Sequence, residues 1–295
     1  MHKKELAYAT IAFVIAISAG LGTYYLTTPA ISAENVKNWA IASFNKVSTF
    51  KLSAEVSVFM SISAFKAENK TMALKTLIEG ATNMSANKTW LYITVMLPNN
   101  ATKMLEMYII DNYVYFKRIE PGSSWIKVKL PYENRTRQGF LSNQISLLNK
   151  SEVKLLPSEL VDGKPCYVLE LKPSLKDLWR ALSSQPAFNQ SVSMPAVAIE
   201  KLQQVVKSFS AKMWIDKEEK LLRKAQTTIS MEMDLGLLGT IAGNLNITLR
   251  FYDYNKPIHI TLPQEAQNAT ELQIVKVKTT EISHPPKPPP QAVTK

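Results

Sequence analysis

Residues 51–63 read KLSAEVSVFMSIS. Leu52, Ala54, Val56, Val58, Met60 and Ile62 alternate with Lys51, Ser53, Glu55, Ser57, Ser61 and Ser63. Successive side chains of a strand point to opposite faces, so this spacing predicts a strand with one dry and one wet face. The dry face must be buried against a second layer. The segment just before it, 34–48, supplies a helix: Val36, Trp39, Ala40, Phe44 and Val47 recur at spacings of three and four. Downstream, strands are expected at 71–80, 89–97, 103–110, 113–119 and 124–130, separated by turn residues at 83–87, 98–100, 111–112 and 121–122. Loops this short cannot hold the crossover that parallel strands need, which makes the order an antiparallel meander.

The middle of the chain changes character. A helix over 137–148 would bury Phe140, Leu141, Ile145 and Leu148, and 152–157 with 165–171 form a strand pair around Asp162 and Gly163. Ser174 is placed to cap a helix with Leu175, Leu178, Trp179 and Leu182 on one stripe, Asp177 completing a capping box. Pro195 opens a further helix with Ala198, Leu202, Val205 and Phe209 on one face. Strands resume at 209–216, 221–233 and 244–254, and a short closing strand is expected at 258–262. The fold class is therefore α+β: a curled antiparallel sheet of about ten or eleven strands with helices on its concave face.

Both ends lie outside this unit. Residues 6–26, LAYATIAFVIAISAGLGTYYL, carry no charge over 21 positions, enough helix at about 1.5 Å per residue to span the roughly 30 Å hydrocarbon core of a bilayer. Lys3 and Lys4 favour a cytoplasmic N-terminus, which puts everything after residue 26 outside. A retained single-pass anchor in the cell membrane is the favoured reading; a signal peptide cut after Ser32 and Ala33, giving a secreted protein, is the alternative. The expected division is 1–33 for the cytoplasmic stub and anchor, 34–275 for the extracytoplasmic domain, and 276–295 for a Pro-rich disordered tail.

A second feature agrees with export. Asn-X-Ser/Thr sequons stand at Asn69, Asn83, Asn87, Asn100, Asn134, Asn149, Asn189, Asn246 and Asn268, where roughly two or three would arise by chance. Cys166 is the single cysteine of the 295 residues, so no intramolecular disulfide forms. Sequons without disulfides behind a Lys-flanked anchor suggest an archaeal cell-surface protein.

Composition removes several function classes. One Cys and three His, of which His2 and His284 sit near the ends, exclude thiolate metal centres of the usual kind and leave His259 as the interior imidazole. No nucleophile motif accompanies His259, Asp216 with Glu218 and Glu219 reads as an exposed hairpin tip, and Cys166 reads as a small buried hydrophobe. No catalytic residue, metal site or cofactor is expected. The formal charge of +11 comes from 35 Lys and Arg against 24 Asp and Glu, and only six of the cations are Arg. Dispersed Lys suits a solvated surface beside an anionic membrane and argues against nucleic acid as a partner.

The blocks WAIASFNKVSTFKLSAEVSV, YIIDNYVYFKRIEPGSSWIKVKLP, VDGKPCYVLELKP and MWIDKEEKLLRKAQTTISMEM, followed by ITLRFYDYNKPIHITLP, resemble in their order the lipoprotein-carrier superfamily typified by LolA, LolB and the mycobacterial LppX and LprG proteins. The resemblance covers about residues 34–270. It implies an unclosed half-barrel with helices plugging the mouth and acyl or other lipid chains held between. Cys166 lies far inside the domain, so the lipidated Cys that tethers bacterial relatives would have to be replaced here by residues 6–26. The dry strand faces supply the candidate ligand-binding residues: Val56, Val58, Met60, Trp90, Tyr92, Met96, Ile126, Val128, Met213, Ile215, Leu245, Ile247, Leu249 and Phe251. The expected function is a membrane-anchored, N-glycosylated binding protein that holds or transfers a lipid or other hydrophobic ligand. A ligand-free structural or interaction subunit of the cell envelope, in contact with other envelope proteins, is the alternative.

Overall fold

The structure, a computed structural model, describes residues 31–63, 70–130, 139–174, 176–177, 205–234, 236 and 239–272. The expected anchor at 6–26, the helical stripe beyond Asp177, most of the helix opening at Pro195, the tail, and the sequons at Asn69, Asn134 and Asn189 lie outside these residues.

The chain enters through helix α1, Ala33–Phe44. Ser32 caps it: its hydroxyl accepts from the Asn35 amide at 3.1 Å, and the Asn35 side chain accepts from the Ser32 amide at 3.3 Å. Six strands then run as a meander: β1 Thr49–Ser63, β2 Lys70–Asn83, β3 Lys88–Met96, β4 Thr102–Ile110, β5 Tyr113–Arg118 and β6 Ile126–Lys129. Helix α2, Phe140–Lys150, leads to a second meander: β7 Glu152–Val161, β8 Lys164–Lys172, β9 Val206–Asp216, β10 Leu222–Asp234 and β11 Thr240–Tyr252. A short helix α3, Gln264–Gln267, precedes β12, Thr270–Leu272.

All twelve strands share one sheet in the order β12-β6-β5-β4-β3-β2-β1-β11-β10-β9-β8-β7. The two ends of this order do not pair, so the sheet is unclosed. Each meander folds back on itself, and the two meet where β1 pairs β11 along its length, from Lys51 opposite Tyr252 to Ser63 opposite Thr240. The count is one above the upper end of the ten or eleven expected from sequence, and one expected strand is absent. Residues 258–262 form no strand. They lie across the outer face of the sheet, where Ile258, Ile260 and Leu262 cover Trp90, Tyr108 and Trp125. The closing strand comes later, as β12, and pairs with β6 in parallel. Phe209, expected on a helix, sits in β9 opposite Ile229.

Register assigns every residue to a face. Phe50, Leu52 and Ala54 of β1 share the inner face with Ile78 of β2, Leu249 and Phe251 of β11, and Met213 of β9. Val36 and Ala40 of α1 and Leu141, Ile145 and Leu148 of α2 pack into the same core cluster. The opposite, outer face is polar in the centre and covered at two places. One is the 258–269 cluster; the other is a small cluster of Val161, Cys166, Val168 and Trp214. At the edge, the β7 ladder slips between Leu156 and Glu159, either side of Pro157.

One glycine fixes how closely two strands pack. Gly80 faces Leu52 across β1, and a Cβ built on it would stand 2.5 Å from Leu91 Cδ2 and 2.7 Å from the Trp90 carbonyl oxygen. Leu91 fills the space that Gly80 leaves and is 1% exposed. Gly80→Ala should therefore destabilise the domain by about 1–3 kcal/mol through overpacking. Urea unfolding at neutral pH reads this as a lower midpoint with an unchanged slope.

Candidate functional site

The inner face divides into a filled part and an open part. Where α1 and α2 lie on it, Leu52, Leu169, Met213, Ile215, Leu249 and Phe251 are buried. Towards the far ends of β1, β2, β10 and β11 the same face is less covered. Val56, Val58, Met60, Leu74 and Met231 are half-buried there, and Ile62, Met72 and Met233 are exposed. On the other side of β1, the inner face of β4, β5 and β6 holds a hollow of about 450 Å³ under the β5–β6 turn. Leu105, Met107, Phe116 and Ile126 form its floor, and Arg118, Glu120 and residues 121–124 form its rim. Arg118 Nε stands 3.1 Å from Glu120 Oε1, both side chains being exposed.

Eleven of the fourteen candidate residues read from sequence share this inner face. Val56, Val58, Met60, Ile126 and Val128 are half-buried on it, while Met213, Ile215, Leu245, Ile247, Leu249 and Phe251 are core. The remaining three, Trp90, Tyr92 and Met96, point to the outer face. The β2–β3 register sets Leu91 opposite Gly80 and Ile93 opposite Ile78, which turns the even positions of β3 outward. There Trp90 Nε1 donates to Glu106 Oε1 at 3.1 Å, and the Tyr108 hydroxyl donates to the same oxygen at 2.9 Å. Burial, reinforced by that bond, pushes the Tyr108 phenol well above its usual range. Leu105, Met107 and Phe116 were missed as lining residues. The signal that finds them is the parity set by Gly80, carried across β3 to β4 and β5.

Asp216 is not an exposed hairpin tip: it is 1% exposed. Its Oδ1 accepts from the amides of Glu218 at 2.8 Å and Glu219 at 2.9 Å, and its Oδ2 accepts from Arg223 Nε at 2.7 Å. Burial works to raise its pKa, but the Glu219 amide, Arg223 and the Glu218 amide outweigh it and hold the carboxyl below the usual range. The neighbouring Arg223 also donates to Glu219 at 2.8 Å. This is a pinned turn in which both carboxylate oxygens of Asp216 are engaged. Cys166, fully buried, has its thiol pushed up to about 11, first by burial and then by Asp216. His259 is exposed. Among the described residues no group of three or more His, Cys, Asp or Glu is arranged to hold a metal ion.

A second hollow, about 350 Å³, lies on the outer face between Ser53, Glu55, Glu79, Lys224, Gln226, Thr248 and Arg250. Its wall is mostly polar, with Leu77 beside Glu55, and Glu55 is paired with Lys75 at 2.9 Å. Among the described residues no helix is long and apolar enough to cross a membrane.

A profile described as a family of unknown function, DUF6612, matches residues 32–271. The chain belongs to the DUF6612 family. The match takes in both meanders, α1 and α2, so the DUF6612 unit is the whole sheet rather than half of it. No functionally curated protein matches the chain. Solved structures similar to this DUF6612 domain include the lipoprotein LppX of Mycobacterium tuberculosis, at 12% identity over 77% of this chain and 96% of that one with a TM-score of 0.38. LprF of Mycobacterium bovis is 10% identical over 78% and 96%, with a TM-score of 0.41. A LolA-superfamily protein of Nitrosomonas europaea is 15% identical over 79% and 96%, with a TM-score of 0.21.

Asp216 gives a test that separates structure from chemistry. Its depressed pKa means that the stability it contributes is present above the unfolded value, about 3.9, and is lost as pH falls through the lower folded value. Asp216→Ala leaves the half-buried Arg223 with Glu219 as its carboxylate and removes the acceptor of the Glu218 and Glu219 amides, and should cost about 1–3 kcal/mol at pH 7. The variant's stability should also fall less steeply than the wild type's below about pH 4. Urea unfolding at pH 7 and pH 3 measures both.

Proposed function

We propose that this DUF6612 protein is an exported, membrane-anchored and N-glycosylated binding protein that holds a lipid or other hydrophobic molecule on the inner face of its sheet. The observation that supports this reading is the hollow of about 450 Å³ floored by Leu105, Met107, Phe116 and Ile126. It opens on the same face as the half-buried Val56, Val58 and Met60. Apolar chains leaving water for such a surface gain about 25 cal/mol per Å² buried. Met60, Met72, Met107, Met231 and Met233, all on that face, give a deformable lining that adapts to chains of different shape. Arg118 at the rim would meet a polar or anionic head group while the chain lies inward.

Export is supported by the uncharged residues 6–26 behind Lys3 and Lys4, and by the sequons. Four of the six described ones, Asn100, Asn149, Asn246 and Asn268, have exposed Asn side chains. In this reading residues 1–33 tether the domain 34–275 to the outer side of the cell membrane, and binding, not catalysis, is its task. A second reading, a ligand-free envelope subunit, is favoured by the filled half of the inner face, where Leu52, Leu169 and Ile215 have no exposure.

The two readings part on one experiment. The full chain, extracted from membranes in mild detergent and examined by native mass spectrometry, should carry stoichiometric lipid that organic solvent releases. Leu105→Trp, which fills the hollow from a half-buried position, should reduce the bound fraction about tenfold, equivalent to about 1.4 kcal/mol, with the midpoint of unfolding unchanged. An empty wild-type protein would sink the binding reading and leave the subunit reading.

A further inference from the structure

The sequons differ in what their residues already do in the fold. A transferase must reach the Asn side chain and the hydroxyl two residues on, which places acceptors in exposed, adaptable turns. At Asn83 the side chain is engaged twice: Nδ2 donates to the Ile258 carbonyl at 3.1 Å, and Oδ1 accepts from the Ala86 amide at 2.9 Å. That pair ties the β2–β3 turn to the segment crossing the outer face. At Asn87 all three sequon residues are half-buried, and the Thr89 hydroxyl lies 3.2 Å from that of Thr82. The Ser151 hydroxyl of the Asn149 sequon is buried and donates to the Leu147 carbonyl at 2.7 Å. Asn246 and Asn268 are exposed, but Ile247 and Ala269, the middle residues of their sequons, are locked into the two core clusters.

Asn100 is different. Asn100, Ala101 and Thr102 are all exposed, the one case among the six described sequons. The β3–β4 turn that holds them is made by other groups: Leu97 N–H bonds the Ala101 carbonyl at 2.8 Å, Asn100 N–H bonds the Leu97 carbonyl at 3.0 Å, and Ala101 N–H bonds Asn99 Oδ1 at 3.1 Å. Asn100 itself sits at φ 61°, a left-handed conformation that Asn tolerates. No hydrogen bond among the described residues occupies its side chain, which therefore projects from a turn that is already fixed.

We infer that Asn100 carries an N-linked saccharide and that Asn83 stays unmodified and serves the fold. This rests on the export proposed above and narrows it to a site. The donor is a saccharide on a polyprenyl phosphate. The Asn100 Nδ2–C1 bond forms as the C1–oxygen bond to the lipid phosphate breaks; the phosphate leaves with the electron pair, and one Nδ2 proton passes to a base of the transferase. At Asn83 the same step would replace a hydrogen on the nitrogen that holds Ile258 and set a bulky sugar against the segment it anchors.

Glycopeptide mapping by mass spectrometry of the full chain purified from its native membranes tests the assignment. The peptide containing Asn100 should carry saccharide in most molecules, and the peptide containing Asn83 should be bare. Thr102→Ala, which removes the acceptor hydroxyl of the sequon and keeps Asn100 at its left-handed position, should lower the intact mass by one saccharide with little change in the melting temperature. Asn83→Gln should leave the saccharide mass unchanged and lower the melting temperature. Sugar on Asn83, or a bare Asn100 with sugar elsewhere, overturns the site assignment alone. Bare Asn at all nine sequons overturns the assignment together with the glycosylated part of the proposed function.

Discussion

The pairing of β1 with β11 is the constraint on which everything else rests. Two meanders, β1 to β6 and β7 to β11, would each be an open sheet with a dry face and a raw edge. Joined along β1 and β11, they become one surface whose core cluster takes in α1 and α2, with α1 lying against β7 and β8. Fully buried side chains run along that surface, from Leu169 of β8 and Met213 and Ile215 of β9 to Phe251 of β11, Leu52 of β1 and Leu91 of β3, with Val36 of α1 and Leu148 of α2. Phe50 and Phe251 meet edge to face there, with ring centroids 5.9 Å apart. Because β1 is central, its polar alternate positions lie on the outer face between β2 and β11. That is where the wet half of the pattern was satisfied.

The same geometry explains what could be read from the chain without coordinates. A strand with clean alternation announces both its type and its faces, so β1 was legible in both respects, while β2 and β10 were legible as strands. The Trp90–Met96 stretch was legible as a strand but not as a face, because Trp90 and Tyr92 are as apolar as Leu91 and Ile93. Only the register opposite Gly80 decides which set turns inward, and register is a long-range property. Residues 258–262 alternate as a strand does, yet Pro257 and Pro263 bracket them. Their apolar side chains cover an aromatic cluster and leave the backbone unpaired with the sheet. Asp216 looked like a solvated turn because it is followed by Lys, Glu, Glu and Lys. The Arg seven positions later buries it, and charge composition alone does not reveal that distance.

The inner face shows how one surface serves stability and binding unequally. Near the helices its side chains interlock and leave no room; beyond them, along the far ends of β1, β2, β10 and β11 and under the β5–β6 turn, the same apolar chemistry remains partly uncovered. Position along the strand, more than residue type, separates structural from lining residues. Met213 is core while Met60 and Met231 line the open part.

An open sheet has two borders, and each could template a strand from another molecule. Here β12 is three residues long and presents Glu271, while β7 carries Lys154, Glu159 and Pro157, and its ladder breaks beside that proline. Neither border offers a straight run of free amides and carbonyls. A twelve-stranded sheet that never closes into a barrel can thus stand crowded among copies of itself without fusing with them into a cross-molecular sheet.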